Sequence, residues 1–239
     1  MYNYHFETIR NLDIALLGII VLVSLVIIIS SFIKDRFWDL RINRLLNIKR
    51  QIYALVSAGQ DPAIAANLPF FANITPQQFL DIEANRVRDD VSFNDAERNF
   101  LKNCFIHSGH IASLKKTAER SGNKLRKIEA GLCLGYAGEE SAADILKKSL
   151  YDKDEDLAYF AMIALGQIKT LLSAKALIEL LRKNTPGSYK IVSLLEDFPA
   201  YIADDVMALA GDPDPAVKVW GMRLLPKFAA ERHVKKIEV

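Results

Sequence analysis

The chain has 239 residues, of which 51% are hydrophobic, with a formal net charge of +2 and two cysteines. This length allows one large domain or two small ones, and the apolar content is sufficient for a substantial core, which excludes a chain too polar to fold. No P-loop, GxSxG or HExxH spacing occurs in the sequence, so these enzyme signatures are excluded.

The first predicted element is an uncharged run of twenty residues, Ile14 to Ile33. At about 1.5 Å per residue, a helix of this length reaches roughly 30 Å, the thickness of a bilayer's hydrocarbon core. Leu, Ile and Val cover every direction of that helix, whereas a soluble helix would keep a polar face. The run therefore predicts a membrane-spanning helix over residues 14–33, with Leu22 near its centre, after a short tail over residues 1–13.

A cleaved signal peptide is the alternative interpretation of this run. Such a peptide has a basic start, a shorter apolar stretch and a small-residue cleavage site. Here Arg10 is the sole Lys or Arg among residues 1–13, and the run is followed by the sequence FIKDRFWDLR. We therefore favour a permanent signal anchor.

The residues after the run predict its orientation, because an excess of Lys and Arg marks the cytoplasmic side of a span. Phe37 and Trp38 are predicted to lie at the membrane interface, with the start of the soluble core as their alternative place. We expect a single-pass protein of the inner membrane of a bacterium, with the N-terminus outside and the body in the cytosol. The basic residues that predict this topology are Lys34, Arg36, Arg41, Arg44, Lys49 and Arg50.

Residues 34–93 are predicted to form a basic juxtamembrane helix and a helical linker. The helix runs from Arg41 to Gly59, and its basic side either faces anionic lipid or is a solvated face with a topological role only. Thr75, Pro76 and Gln78 form a capping signal for a helix over residues 76–87, and Asn94 with Glu97 forms a second one. No two-residue hairpin signal or convincing strand occurs, so the predicted fold class is all-α.

A repeat of near 30 residues organises residues 94–239. The segment 127–150 matches 158–181 at an offset of 31, and Leu134-Gly135 pairs with Leu165-Gly166. Each unit is predicted to contain two short amphipathic helices, the first of which ends near Leu-Gly. The glycine permits either a left-handed turn or a close approach of the next helix. About five units are expected, the last incomplete, with a truncated second helix over residues 230–239.

These residues resemble HEAT repeats, particularly the short bacterial type also found in phycobilin-lyase-related proteins. The resemblance implies an α-solenoid whose stacked units share a continuous core. The layout of one membrane helix, a basic helix and a short array is also similar to bacterial membrane-anchored HEAT proteins. It implies protein binding, with clients such as a membrane enzyme complex, and carries over no catalytic residue.

Acidic segments precede two of the first helices, at residues 152–156 and again at Asp212 and Asp214, sixty residues after Asp152 and Asp154. They are predicted to cap helix N-termini, with an acidic partner site as the alternative. Cys104 and Cys133 are expected to be reduced core residues. His107 and His110 are weak evidence for a metal, and no metal or cofactor is predicted.

A basic cluster is the main candidate partner surface of the repeats. It is interpreted as a solvated surface, a face on the anionic inner leaflet, or a site for acidic protein or nucleic acid. Nucleic acid is not favoured, because no aromatic residues are interleaved with the charges. Tyr159, Phe160, Trp220 and Met222 are predicted core residues, and Trp220 alternatively covers an open end that invites a partner. The cluster consists of Lys115, Lys116, Arg120, Lys124, Arg126 and Lys127.

The leading functional prediction is a membrane-anchored scaffold or adaptor for protein–protein interaction, and not an enzyme. Two other functions remain open. A HEAT-class enzyme, lyase-like or DNA glycosylase-like, would need a concave cluster of acids and aromatics. A membrane-surface module would bind anionic lipid through the basic helix. Homo-oligomers remain open as well, although no GxxxG spacing occurs in the span.

Overall fold

The described chain is helical. The computed structural model describes the backbone of residues 2–84, 92–183 and 187–237, and the side chains of residues 19–34, 36–37, 39–71, 73–84, 92–183 and 187–229. Within these residues there are thirteen α-helices, two short 3-10 turns and no strand. The all-α prediction is therefore confirmed.

The first helix, α1, extends without a break over Tyr2–Ser57. The sequence predicted a span and a separate basic helix from Arg41, but no glycine or proline lies between Gly18 and Gly59 to divide them. The predicted stop at Gly59 is confirmed, because this residue has a left-handed φ of 63°. The bounds of the span itself remain a prediction, since the side chain of Ile14 lies outside the described residues.

The chain divides into two compact units, Met1–Gln51 and Ile52–Val239. In the described part of the chain, where the side chains of α1 begin at Ile19, no helix has an apolar stretch long enough to cross a membrane.

Three short helices begin the second unit beyond the end of α1, and each has proline at its start. They are α2 (Pro62–Ala65), α3 (Pro69–Ala72) and α4 (Pro76–Glu83). The predicted capping box is present, because the Thr75 hydroxyl accepts from the backbone N–H of Gln78 at 3.2 Å and the side-chain Oε1 of Gln78 accepts from the backbone N–H of Thr75 at 2.9 Å. The predicted continuation of α4 to Val87 lies outside the described residues.

Four helix pairs follow and form the repeat units, each made of a first and a second helix. First helices pack on first helices, α5 on α7, α7 on α9, α9 on α11 and α11 on α13, while α6 packs on α8 and α8 on α10. This stacking buries a continuous core, as expected for a solenoid. The pairs are α5 (Asp95–His107) with α6 (His110–Arg120), α7 (Lys124–Ala137) with α8 (Ala143–Ser149), α9 (Glu155–Ile168) with α10 (Leu171–Arg182), and α11 (Ser188–Glu196) with α12 (Ala203–Ala210).

The last helix, α13, spans Pro215–Ile237 and contains Pro226 in its interior. The prediction of a separate second helix over residues 230–239 is wrong for the described backbone, because α13 continues unbroken to Ile237. No turn signal comparable to Gly138 separates the two segments, so helix formation propagates past the predicted break.

Gly135 and Gly166 do not end their helices, which corrects one of the two roles predicted for them. The helices continue to Ala137 and Ile168, and the left-handed residues are Gly138 and Lys169, with φ of 71° and 54°. The second predicted role is confirmed: a Cβ on Gly135 would lie 2.6 Å from Cα of Ala164 in the next unit. These glycines therefore allow first helices to approach closely.

Candidate functional site

The basic cluster of α6 and α7 is partly neutralised by acidic residues of neighbouring segments. Lys124 Nζ lies 2.8 Å from Asp154 Oδ1 and 2.6 Å from Asp156 Oδ2, so one ammonium bridges two carboxylates of the next unit. Hydrogen bonds to Asp154 and then Asp156 raise the pKa of Lys124, and the same lysine lowers the pKa of Asp154. Both groups are open to solvent, so this pair contributes to register more than to stability.

A second member of the cluster is also paired. Lys115 Nζ donates to Glu139 Oε1 at 3.0 Å and also contacts the hydroxyl of Ser141. The pKa of Glu139 is lowered, first by the hydrogen bond from Ser141 and then by Lys115. Arg120 lies 3.4 Å from Glu119 of its own helix, in an exposed pair.

Three members of the cluster keep their charge free for a ligand. In the described part of the chain, Lys116, Arg126 and Lys127 form no salt bridge, and Lys116 and Arg126 are exposed. Leu125, between two of the bases of α7, is 73% exposed. The cations of the cluster that remain available to a partner are therefore Lys116, Arg126 and Lys127, and the function predicted for them stays a prediction.

The acidic segments cap the first helices, as predicted. The Asp154 carboxylate accepts from the N–H groups of Asp156 at 3.0 Å and Leu157 at 3.2 Å. Asp214 accepts from the N–H of Ala216 at 2.9 Å in the same way. Asp154 thus has two roles, since it caps α9 and also holds Lys124 of the preceding unit.

Other ion pairs join successive units along the array. Lys147 Nζ of α8 lies 3.3 Å from Glu179 Oε2 of α10, and the Glu179 carboxylate also accepts a hydrogen bond from the Tyr151 hydroxyl. Lys183 Nζ lies 4.1 Å from the centre of the Tyr151 ring. Tyr151 therefore contacts the positive charge of Lys183 through its ring and the negative charge of Glu179 through its hydroxyl. Sequence reasoning missed this cluster; the only available signal was the repeat spacing, which does not specify side-chain partners.

Cys104 and Cys133 are free and fully buried, which confirms the prediction of core thiols. Their S–H groups face the carbonyls of Pro62 at 3.4 Å and Pro76 at 3.5 Å. Burial raises the pKa of Cys104 to about 12 and raises the pKa of Cys133 as well. Neither thiol has the lowered pKa of a nucleophile.

The two histidines considered above as metal ligands, His107 and His110, have different surroundings. His107 is exposed, whereas the His110 ring stacks on Phe105 with 5.3 Å between centroids and its buried Nε2 has no hydrogen-bond partner. Among the described residues, no group of three His, Cys, Asp or Glu side chains is arranged to hold a metal ion.

Two of the four aromatic and methionine residues predicted to be core are on the surface. Tyr159 is 47% exposed and Met222 is 53% exposed, while Phe160 and Trp220 are half-buried. The prediction for Met222 fails because it assumed the environment of Met162, sixty residues earlier. Met162 is buried in α9, on which α11 packs, whereas the corresponding side of α13 is open at Met222.

The predicted membrane residues all lie on α1. Leu22 and Ile33 are exposed, as are Lys34, Arg36 and Phe37. The side chain of Trp38 lies outside the described residues, so its place at an interface stays a prediction. Of the remaining basic residues, Arg44 and Arg50 are exposed and Arg41 and Lys49 are half-buried.

Comparison with known proteins supports the repeat assignment. Residues 111–196 match the family model of HEAT repeats, which begins in α6 and ends with α11. No curated protein and no solved structure matches the chain. The segment from α6 to α11 is thereby supported as HEAT repeats, in agreement with the stacked helix pairs.

Proposed function

We propose that this protein is a membrane-anchored scaffold, whose HEAT-repeat array binds other proteins at the cytoplasmic face of a bacterial inner membrane. HEAT repeats commonly serve as protein-interaction scaffolds, because their stacked helices present an extended surface. The observation that carries the membrane part of the proposal is the exposed apolar surface of α1.

Every side chain from Ile19 to Lys34 is exposed, and all of them before Lys34 are uncharged. Leu22, Ile27 and Ile28 are 65%, 63% and 65% exposed, and at about 100° per residue they point in three directions around the helix. Leaving such surface in water costs about 25 cal/mol per Å², whereas lipid removes this cost on all sides at once. A lipid environment explains a helix that is apolar around its circumference.

The charges of α1 support the proposed orientation. Lys34 and Arg36 directly follow the apolar stretch and are exposed, and Arg44 and Arg50 follow on the same helix. A basic flank of this kind stays on the cytoplasmic side during insertion. The repeats that follow would then be cytosolic, where the buried thiols of Cys104 and Cys133 stay reduced.

We propose binding rather than catalysis for the repeat array. The free cations Lys116, Arg126 and Lys127 offer positive charge that suits an acidic protein segment. Anchoring would hold this surface at a high effective concentration beside membrane clients, such as the subunits of a membrane enzyme complex.

Alkaline extraction of membranes tests the anchor. We expect the full-length protein to stay in the membrane pellet, and the double variant Leu22→Arg, Val26→Arg to move to the supernatant, because two charges in mid-span are costly. Leu125→Arg is the matched control, since it places an arginine at an exposed leucine of the repeats. Release of the unmodified protein by alkali would refute the anchor.

The orientation is tested by labelling with a reagent that does not cross the membrane. A cysteine at exposed Lys175 of α10 should react only after cells are opened. Reaction in intact cells would place the repeats outside and overturn the proposed topology.

Crosslinking in native membranes tests the partner surface. Purification of the full-length protein after crosslinking should recover a discrete partner. We expect the triple variant Lys116→Glu, Arg126→Glu, Lys127→Glu to lose it, while Lys153→Glu, Lys175→Glu, Lys190→Glu, with equal charge change, retains it. Equal loss in both variants would show a general charge effect and refute the proposed surface.

A further inference from the structure

Helix α13 has two faces of different kinds. The inner face carries Val217, Leu224 and Phe228, all buried, and it packs on α12. At Gly221 the approach is so close that a Cβ would lie 2.3 Å from the backbone nitrogen of Ala210. This packing fixes the position of α13, so its outer face needs no folding step before it contacts a ligand.

The outer face consists of a narrow apolar strip. Val219 and Met222 are 62% and 53% exposed, and Pro226 is exposed between them on the helix surface. At about 100° per residue, these three side chains fall within an arc of about 60°. This strip lies on the side of α13 opposite the buried face.

Cations border the strip on both sides. Lys218 lies about 40° beyond Met222, while Arg223 and Lys227 lie about 40° and 80° beyond Val219. All three are exposed, and no Asp or Glu occurs between Pro215 and Ala229. Arg223 makes one long contact, 3.9 Å to Glu196, and Lys227 Nζ is 5.7 Å from the Phe228 ring centroid.

This pattern differs from the faces that bind another helix in the same protein. In α9, Gly166 lies where the side chain of Leu194 from α11 packs. The residue of α13 that corresponds to Gly166, sixty positions later, is Pro226. Its pyrrolidine ring occupies the space that Gly166 leaves for a side chain of the next helix. The strip is therefore poorly shaped for a further packed helix.

We propose that the outer face of α13 lies on the surface of an anionic membrane. The apolar strip would enter the boundary between headgroups and acyl chains, while the flanking lysines and arginine extend their aliphatic stems over it and reach lipid phosphates. The uniform positive charge selects an anionic surface. This contact is additional to the anchor in α1 and does not require it.

The test uses the full-length protein with Met222→Cys labelled by an environment-sensitive fluorophore, in vesicles of phosphatidylcholine with or without phosphatidylglycerol. The buried Cys104 and Cys133 are not expected to react. With phosphatidylglycerol, we expect a blue shift and quenching by nitroxide lipids, both lost in high salt. Lys175→Cys on α10 is the control site and should show neither effect.

Charge removal adds a quantitative test. Each of Lys218→Gln, Arg223→Gln and Lys227→Gln should lower the ratio of docked to undocked protein about fivefold. Because all three side chains are exposed, thermal melting should show that the variants fold. Lys175→Gln is the matched control and should leave the ratio unchanged.

Three outcomes would overturn the inference. They are the absence of quenching with phosphatidylglycerol, equal quenching in phosphatidylcholine alone, and protection of the label only by a protein from native membranes. Alkaline extraction reports on α1 separately. If alkali releases the full-length protein, the same vesicles are added to the released protein. The anchor of α1 and the membrane contact of α13 can therefore be refuted separately.

Discussion

Gly135 of α7 lies against the backbone of Ala164 in α9, so that a Cβ on Gly135 would be 2.6 Å from the Ala164 Cα and 2.7 Å from its carbonyl oxygen. Backbone atoms of a packed helix cannot turn away as a side-chain end can. The contact therefore sets how closely two repeat units approach, at the centre of the segment that matches HEAT repeats.

Gly135→Ala should destabilise the protein by about 1–3 kcal/mol, the usual cost of overpacking, although alanine is the better helix former. Chemical denaturation of the full-length protein in detergent measures this change. Gly122→Ala is the control, because nothing lies within 4 Å of its Cβ position. Equal stability of the two variants would mean that the units separate easily, contrary to the packing described.

Asp154 allows capping and ion pairing to be separated. Asp154→Asn keeps a side-chain oxygen for the N–H groups of Asp156 and Leu157 but removes the charge that binds Lys124. We expect this variant to melt near the unmodified protein, and Asp154→Ala to melt clearly lower. Thermal melting followed by circular dichroism distinguishes them. If Asp154→Asn and Lys124→Met both melt as low as Asp154→Ala, the ion pair rather than the cap stabilises α9.

Glu83, at the end of α4, makes stability depend on pH. Burial raises its pKa from 4.5 to about 7, against the lowering effects of Lys102 and then Arg98, and its Oε1 is buried without a hydrogen-bond partner. The folded protein therefore holds a proton that the unfolded chain releases between about pH 4.5 and 7. Stability should fall as pH rises through this window, by up to about 3 kcal/mol.

Glu83→Gln should remove most of this slope and raise stability at pH 8, because no charge is then buried. Unfolding curves at pH 4, 6 and 8 measure the effect. Glu155→Gln, which changes an exposed glutamate of α9, should keep the slope of the unmodified protein. A slope unchanged in Glu83→Gln would show that another group titrates.

The native thiols should resist modification. Cys104 and Cys133 are buried and their pKa values are raised, so thiolate is scarce and inaccessible. We expect a maleimide to label neither residue in the folded protein and both after denaturation, as mass spectrometry would show. Met222→Cys adds an exposed thiol and should react at once. Fast labelling of Cys104 would indicate that α5 opens readily from its packing.

Local features of this fold were predictable from the sequence. The caps at Thr75, Asn94 and Asp154 were predictable because a cap and the N–H groups that it satisfies lie within three residues. The stop at Gly59 was predictable because a left-handed φ favours glycine. The repeat spacing was sufficient to predict the helix pairs from α5 to α12, since an apolar stripe that recurs at the same spacing indicates the same succession of helices.

Features that depend on neighbours in space were not predictable in this way. Met162 and Met222 have the same place in their helices, yet one is buried and the other is 53% exposed. The bridge from Lys124 to Asp154 and Asp156 was also missed, because the residues are thirty or more positions apart. A repeat alignment aligns equivalent residues but does not specify which side chains of different units meet.

The sequence by itself determined the helical class, the caps, the apolar run of α1 and the period of the repeats, because these depend on residues close together along the chain. Only the tertiary structure decided that Gly135 is a contact between helices rather than a helix end, and that α13 has an outer face at Val219 and Met222. The burial of a residue depends on the elements that pack around it. The apolar residues of one helix therefore do not determine which of its sides another helix will cover.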